Sequence, residues 1–255
     1  MRSSLFLSSL ITLSAAATSG ALAQNLVQNG NFNQTSYVFN NQFGTAWTQT
    51  TMQGVTGWTG NGGYDLYFFS GTATTDSANT QYDSGYNTGS EKLDGTATFT
   101  GSSPNGDNFV ALDGDPSVGG GGGLSQMING LTVGTKYTLS FVWAASQLQS
   151  KTGQTTEDLQ VSLGGQIFAT TPTVTNPSNS FTGWFTQAYT FTATSTQELL
   201  SFLSQGSPSG EPPIALLTDV SVTKVPEPGT LTVLGAGLAG LMAVRRRCKG
   251  HRRSP

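Results

Sequence analysis

Cysteine and histidine are almost missing from this chain of 255 residues, which contains one of each, Cys248 and His251. Both lie near its C-terminal end. The rest of the chain therefore forms no disulfide, binds no metal through sulfur or imidazole, and contains no Ser-His or Cys-His nucleophile pair. Stability must come from packing, and any acid–base chemistry must come from carboxylates.

Basic residues are also scarce outside the two ends. Of the eleven Lys and Arg residues, six follow Val244 and one is Arg2. Residues 24–224 keep four lysines against thirteen acids, a formal net charge of −9. This charge disfavours nucleic-acid binding, because phosphate contacts need clustered Lys and Arg.

Uncharged apolar runs occur at the two ends. Arg2, the apolar stretch 5–13 and the small residues ending at Ala23 follow the order of a secretory signal peptide, with cleavage predicted before Gln24. Near the other end, residues 230–244 carry no charge and would rise about 22 Å as a helix, against a hydrocarbon core of about 30 Å. We predict a short C-terminal transmembrane helix there, with the basic residues after it on the cytoplasmic side.

A Pro-Glu-Pro triplet precedes this run and an arginine cluster follows it. The residues are Pro226, Glu227, Pro228, Arg245, Arg246 and Arg247. In this order the features resemble the PEP-CTERM sorting signal of Gram-negative bacteria. The resemblance implies passage through the export machinery, recognition by an exosortase during a transient stay in the inner membrane, and cleavage for delivery to the cell surface or extracellular matrix. The alternative is an ordinary single-pass anchor.

Short alternating runs between Gly, Asn, Pro and Ser clusters predict an all-β fold, an antiparallel β-sandwich, in the remainder. The predicted division is 1–23 signal peptide, 24–224 sandwich and 225–255 sorting signal. Strands are predicted at 64–69, 108–112, 124–128, 136–143, 158–163, 185–191, 199–203 and 216–222. Residues 71–100 contain few apolar side chains, so we expect a long surface excursion there.

Five consecutive glycines, 119–123, precede the strand predicted at 124. A phosphate-binding loop would need a following helix and usually a lysine. Because neither is present, we predict a flexible hairpin connection.

The opening sequence NLVQNGNF at residues 25–32 resembles the start of galactose-binding-like jelly rolls and related carbohydrate-binding modules. Further stretches follow in the order found in that group, including NFVALDG at 108–114 and LTDVSV at 217–222. The resemblance implies a jelly roll with a carbohydrate ligand. One departure is Asn33, which stands where that group commonly has an acid.

Aromatic faces and amide side chains are the groups that hold sugars. Four aromatic residues lie in or near polar, glycine-rich sequence and are candidates for binding an exopolysaccharide: Trp58, Tyr64, Tyr82 and Tyr86. For Trp58 an alternative stays open, because the sequence before it also fits a strand end with the ring packed inward. A structural or interaction domain without a glycan ligand is the alternative for the whole sandwich.

Calcium is the only cofactor that we expect. The jelly-roll resemblance implies a structural ion near the joined first and last strands, at positions matching Asn31, Asn33 and Asp219. Composition adds Asp113 or Asp115, because a hard cation needs six to eight oxygen ligands.

Carboxylate catalysis is a further alternative. Asp113 with Asp115, or Glu157 with Asp158, could supply the acid and base of a glycoside hydrolase. Proximity in sequence is weak evidence for such a pair, so we predict that the protein is not an enzyme.

Overall fold

A computed structural model of the chain describes residues 24–37, 41–42, 54–61, 63–73, 93, 99, 101–117, 120–148, 151–211 and 213–226. The predicted signal peptide and C-terminal apolar helix lie outside these residues. Among the residues described, no helix has the length and apolar character needed to cross a membrane.

The described residues form twelve β-strands, numbered here in chain order. They are β1 (Asn41–Gln42), β2 (Thr59–Gly60), β3 (Asp65–Phe68), β4 (Phe109–Asp113), β5 (Gly123–Asn129), β6 (Lys136–Gln147), β7 (Thr155–Leu163), β8 (Gln166–Thr170), β9 (Val174–Asn176), β10 (Phe185–Thr192), β11 (Gln197–Ser207) and β12 (Pro213–Lys224). All eight strands predicted from the sequence are present.

The strands form two antiparallel sheets. The first has the order β1-β3-β4-β12-β6-β10, and the second has the order β2-β5-β11-β7-β8, with β9 also pairing with β7. Neighbouring strands come from distant parts of the chain, as in β4, β12 and β6. The predicted all-β, antiparallel sandwich of the jelly-roll type is confirmed.

Alternation along β6 explains why the sheets pack face to face. Tyr137, Leu139, Phe141 and Trp143 are each at most 3% exposed and belong to the core between the sheets. Phe141 meets Phe202 of β11 edge to face, with the ring centroids 5.1 Å apart. Each such side chain stabilises the fold by about 1.5–3 kcal/mol through burial.

A second apolar cluster covers the outer face of the first sheet. It includes Phe68, Phe109 and Leu216 from the strands. Leu93 and Phe99 also belong to it and are at most 2% exposed. At these two positions the predicted surface excursion is wrong, because both side chains cover the sheet. The first sheet is therefore buried on both faces at β3, β4 and the first half of β12.

Candidate functional site

The N-terminal segment 25–34 runs beside β12 and forms one wall of a pocket. Leu26 N–H donates to the Val222 carbonyl and Val220 N–H donates to the Gly30 carbonyl, both at 2.9 Å. A Cβ at Gly30 would collide with the Val220 carbonyl oxygen, so this close approach needs glycine. These contacts fix the segment against the last strand.

Trp58 supports the turn of this segment from the core. Its ring packs on Phe32 with centroids 5.3 Å apart, and its Nε1 donates to the Asn29 carbonyl at 3.0 Å. The side chain is 3% exposed. Trp58 therefore presents no open ring face to a sugar, and its position is that of the inward-packed alternative.

The predicted ligand tyrosines are not part of this pocket as far as the structure describes them. Tyr64 is half-buried and packs against the outer cluster of the first sheet. Tyr82 and Tyr86 lie outside the described residues, as do Glu227, Pro228 and the three arginines of the predicted sorting signal.

A β-bulge in β12 places Asp219 in the pocket. The register between β12 and β6 shifts between Thr218 and Ser221, and Asp219 has a φ of 53°. A bulge turns a side chain away from the regular alternation of the strand. The Asp219 carboxylate lines the pocket and accepts a hydrogen bond from Asn105 Nδ2 at 2.7 Å.

Asp107 supplies the second carboxylate. Its Oδ1 accepts hydrogen bonds from Asn33 Nδ2 at 2.6 Å and from Asn31 Nδ2 at 3.3 Å. Asn33 is held in turn by the Asn108 N–H, which donates to its Oδ1 at 2.9 Å. Asn31, Asn33 and Asp219, which the jelly-roll resemblance implied as neighbours, thus lie at one corner of the fold.

Asn31, Asn105, Asp107 and Asp219 line an open pocket of about 460 Å³, and Asn33 holds Asp107 from beside it. Its polar lining includes Asn25, Asn31, Gln34, Asn105, Asp107 and Asp219. Burial raises the pKa of the Asp219 carboxyl; the Asn105 hydrogen bond lowers this pKa, and the neighbouring Asp107 carboxylate raises it. Amides and carboxylates together offer donors and acceptors to a polyhydroxylated ligand, and oxygen ligands to a hard cation.

Sequence reasoning missed Asp107 and Asn105. Both belong to the turn Pro104-Asn105-Gly106-Asp107, whose composition indicates a turn and nothing about its partner. The turn reaches the pocket because β4, which follows it, pairs with β12.

Asp113 does not join this corner, contrary to its inclusion in the predicted calcium set. It ends β4, about 13 Å of strand beyond Phe109 at the pocket end. Asp113 is 2% exposed, its Oδ1 accepts from Asp115 N–H at 2.8 Å, and burial raises its pKa to about 7. The predicted ligands are thus divided between the two ends of one strand.

The predicted catalytic pairs lack the geometry of a shared substrate site. Glu157 is buried within the sandwich, whereas Asp158, the next residue of β7, faces the opposite side and accepts from Thr173 Oγ1 at 2.8 Å. The Asp115 carboxylate is already held by Ser117 and by the Gly210 N–H at 2.7 Å. Neither pair presents two open carboxylates to one ligand.

Comparison with known protein families identifies two regions of the chain. A family model described as "Protein of unknown function (DUF642)" matches residues 68–220. A "PEP-CTERM protein-sorting motif" matches residues 224–247, which confirms the sorting signal predicted from the Pro-Glu-Pro triplet and the arginine cluster. No curated protein matches the chain.

Several solved structures are distantly similar. The C-terminal domain of EclA, a sugar-binding protein, is 19% identical with a TM-score of 0.31; the match covers 39% of this chain and 64% of that one. A protein described as "CBM4 structure and function" is 15% identical with a TM-score of 0.35, covering 78% and 99%. The CBM22-1 xylan-binding domain from Paenibacillus barcinonensis Xyn10C is 12% identical with a TM-score of 0.35, covering 81% and 97%. Sequence identities and TM-scores this low identify no ligand for this chain.

We predict that the protein loses stability as the pH rises, because Glu157 is buried. Burial raises the pKa of its carboxyl from 4.5 to about 8, against the hydrogen bond from Thr155 Oγ1 that lowers it. Between these values Glu157 is protonated in the folded protein and ionised in the unfolded chain, so its contribution to the free energy of unfolding falls by about 1.4 kcal/mol per pH unit. Below the lower value and above the upper one, this contribution is constant.

Urea denaturation of the purified protein across this pH window measures the slope. Glu157→Gln should reduce it, because the amide does not titrate. Glu211→Gln is the control, since Glu211 is a surface carboxylate that accepts from the Thr152 N–H at 3.2 Å. An unchanged slope in Glu157→Gln would contradict the prediction.

Proposed function

Since the chain belongs to the family described as "Protein of unknown function (DUF642)" and carries a PEP-CTERM sorting motif, we propose that it is an exported surface or matrix protein whose sandwich binds polysaccharide. The family description assigns no activity, so the binding proposal rests on one observation. That observation is the pocket beside β12, where amide and carboxylate side chains from three chain segments converge.

Sorting in this proposal proceeds through an exosortase in the inner membrane of a Gram-negative bacterium, with release to the cell surface or the extracellular matrix. The position of the motif is compatible with cleavage. The last strand ends at Lys224, and Pro226 is already exposed. A cut near the triplet would therefore leave all twelve described strands intact.

Mass spectrometry of the protein released from the cell surface tests the sorting proposal. The expected mature form lacks the signal peptide and the tail from Arg245 to Pro255. Replacing Pro226 and Glu227 by alanine should leave the uncleaved form in the membrane fraction, because the recognition triplet is gone. Surface-released protein that keeps an intact tail would refute processing.

The chemistry of the pocket favours a neutral polysaccharide. Sugar hydroxyls both donate and accept, which matches a lining of amides, carboxylates and backbone groups. Two carboxylates line the pocket, and the described lining residues include no Lys or Arg, so an anionic glycan would be repelled. The described lining also includes no aromatic residue, so hydrogen bonds rather than ring stacking would supply the affinity.

Asn105→Ala tests this pocket, because Asn105 is exposed and lines it. Loss of one or two ligand hydrogen bonds should weaken binding to neutral polysaccharide by about threefold to tenfold. A glycan array identifies the ligand, and isothermal titration measures the change. Asn129→Ala is the matched control, since Asn129 is an exposed asparagine of β5 outside the lining.

The two variants should differ only in glycan affinity. If Asn105→Ala binds the glycan as tightly as the unmodified protein does, the pocket beside β12 is not the binding site. If the unmodified protein binds neither neutral nor charged glycans, the alternative of a structural or interaction domain is favoured.

Calcium is a second proposal for the same corner. The residue types fit, because Asp107 and Asp219 contribute carboxylates and Asn31, Asn33 and Asn105 contribute amide oxygens. The amides donate their N–H groups to the carboxylates in this structure, so they would have to turn to ligate an ion. The described residues include no convergent group of three or more His, Cys, Asp or Glu. Calcium here would tie the N-terminal segment to β12.

Removal of calcium by a strong chelator should lower the melting temperature of the purified protein by about 3 °C or more, because ligand binding stabilises the folded state. Asp219→Asn should show a smaller chelator effect, since a carboxylate ligand is lost. If the chelator leaves the melting temperature of the unmodified protein unchanged, calcium is not a structural component.

A further inference from the structure

Four large apolar side chains are exposed among the described residues, and all four lie at one end of the sandwich. They are Met127 at 46%, Val133 at 59%, Ile167 at 66% and Leu199 at 39%. Val133 is in the connection between β5 and β6, and Ile167 is the second residue of β8, just after the hairpin. Met127 and Leu199 are cross-strand partners near the end of β5 and the start of β11. Single exposed apolar residues are normal on a protein surface, whereas a group of them marks an interaction surface.

The last strand leaves the sandwich at this same end. Lys224, the final residue of β12, is the partner of Tyr137 near the start of β6, and Val225 N–H donates to the Lys136 carbonyl at 3.0 Å. The connection that carries Val133 arrives at the start of β6, so the chain exits beside it. We call this end of the sandwich the exit end.

Only a short stretch separates the exit end from the apolar run 230–244. Residue 230 is six positions after Lys224, and an extended chain spans at most about 3.5 Å per residue, so the run begins within about 21 Å of the exit end. In the proposed sorting route this run enters the inner membrane before cleavage. The exit end is then held close to the bilayer surface.

The charges at the exit end fit a lipid surface. Lys136 and Lys224 are exposed there, and cationic side chains are attracted to anionic lipid headgroups. Glu198, the acid that the described strands place at this end, is 6% exposed, and its carboxylate is held by the Thr194 and Ser195 N–H groups. Although acids outnumber lysines in the sandwich as a whole, little negative charge is exposed at this end among the described residues.

The opposite end of the sandwich has a different surface. Asp115, after β4, and Glu211, before β12, lie there, and no large apolar side chain is exposed among its described residues. Gly121, Gly122 and Gly123 are buried at this end, so this part of the glycine run is a packed segment and not the flexible connection predicted from the sequence. Exposed apolar side chains and the departing chain therefore coincide at the exit end and not at the opposite end.

We infer that the exit end lies against the lipid surface of the inner membrane until the tail is cleaved, with Val133, Ile167 and the Met127–Leu199 pair reaching into the headgroup region. The contact rests on the proposed sorting route through the membrane and is independent of polysaccharide binding. Apolar side chains of interfacial segments lie about 5–10 Å into the boundary between headgroups and acyl chains. Because the tail already confines the sandwich near the bilayer, a weak contact is enough to hold it there. Cleavage removes this tether, so the contact is lost when the protein is released.

Fluorescence quenching in vesicles tests this contact on residues 24–255, the exported chain with its tail. Cys248→Ser removes the single cysteine, and Val133→Cys then carries an environment-sensitive fluorophore. In vesicles of phosphatidylethanolamine and phosphatidylglycerol, spin-labelled lipid should quench this fluorophore at least about threefold more than the same label on Gln154→Cys, because only the first reaches the headgroups. Gln154 is the matched control, since it is exposed at the opposite end, between β6 and β7.

Ile167→Asp should lower the quenching of the label on Val133→Cys by about half or more, because a carboxylate at the exit end resists entry into the membrane. Thr175→Asp is its control, since Thr175 is an exposed residue of β9, which pairs with the first residues of β7 at the opposite end. This control should leave the quenching unchanged. Both substitutions are at exposed positions, so both variants should fold, which circular dichroism checks.

Flotation of the vesicles separates failure of this contact from failure of the sorting route. A chain that does not float with the vesicles has no membrane anchor, which refutes both. A chain that floats while its label on Val133→Cys is quenched no more than the label on Gln154→Cys refutes the contact alone. A label on Val133→Cys that enters an apolar environment without quenching by lipid reports a second copy of the chain on the exit end, and this result also overturns the inference.

Discussion

The pairing of β12 between β4 and β6 is the constraint on which the other features depend. This strand joins the two halves of the first sheet, and its residues Pro213–Leu217 are buried on both faces. Its register with β4 and the bulge after Thr218 determine where Asp219 lies. Because the N-terminal segment also bonds to Val220 and Val222, the pocket forms only when the last strand has taken its place. A slip of one residue would turn the β12 side chains to the opposite faces.

The strands predicted from sequence have either a regular alternation of apolar and polar residues or, as in β4, a continuous apolar run. β6 is the clearest, since every second side chain from Tyr137 to Trp143 enters the core. β8 was missed because its residues are polar or partly exposed, so no apolar face marks it. Gly164 and Gly165, both with positive φ, form the two-residue hairpin between β7 and β8. A Gly-Gly pair there was a usable turn signal.

The pocket could be predicted only in part. Asn31, Asn33 and Asp219 came from a resemblance that carries positional information, whereas Asp107 came near them only through the pairing of strands distant in sequence. For Trp58 the neighbouring glycines and polar residues suggested exposure, but local composition does not say which side of a strand end meets the core. The same applies to Leu93 and Phe99, which are isolated apolar residues in a polar stretch and cover the outer face of a sheet.

Because basic residues are scarce outside the two ends, few cationic side chains are present to pair with the buried carboxylates. In a chain with few cations, a buried acid must find hydrogen-bond donors, a proton or an external ion. Glu198 shows the first solution, since its Oε1 accepts from the Thr194 and Ser195 backbone amides and from the Thr194 hydroxyl. Asp65 is more deeply buried, at 0% exposed; burial raises the pKa of its carboxyl well above the ordinary value, and the Gly123 backbone amide lowers this pKa. The consequence of burying an acid in this fold therefore depends on how many hydrogen-bond donors reach its carboxylate.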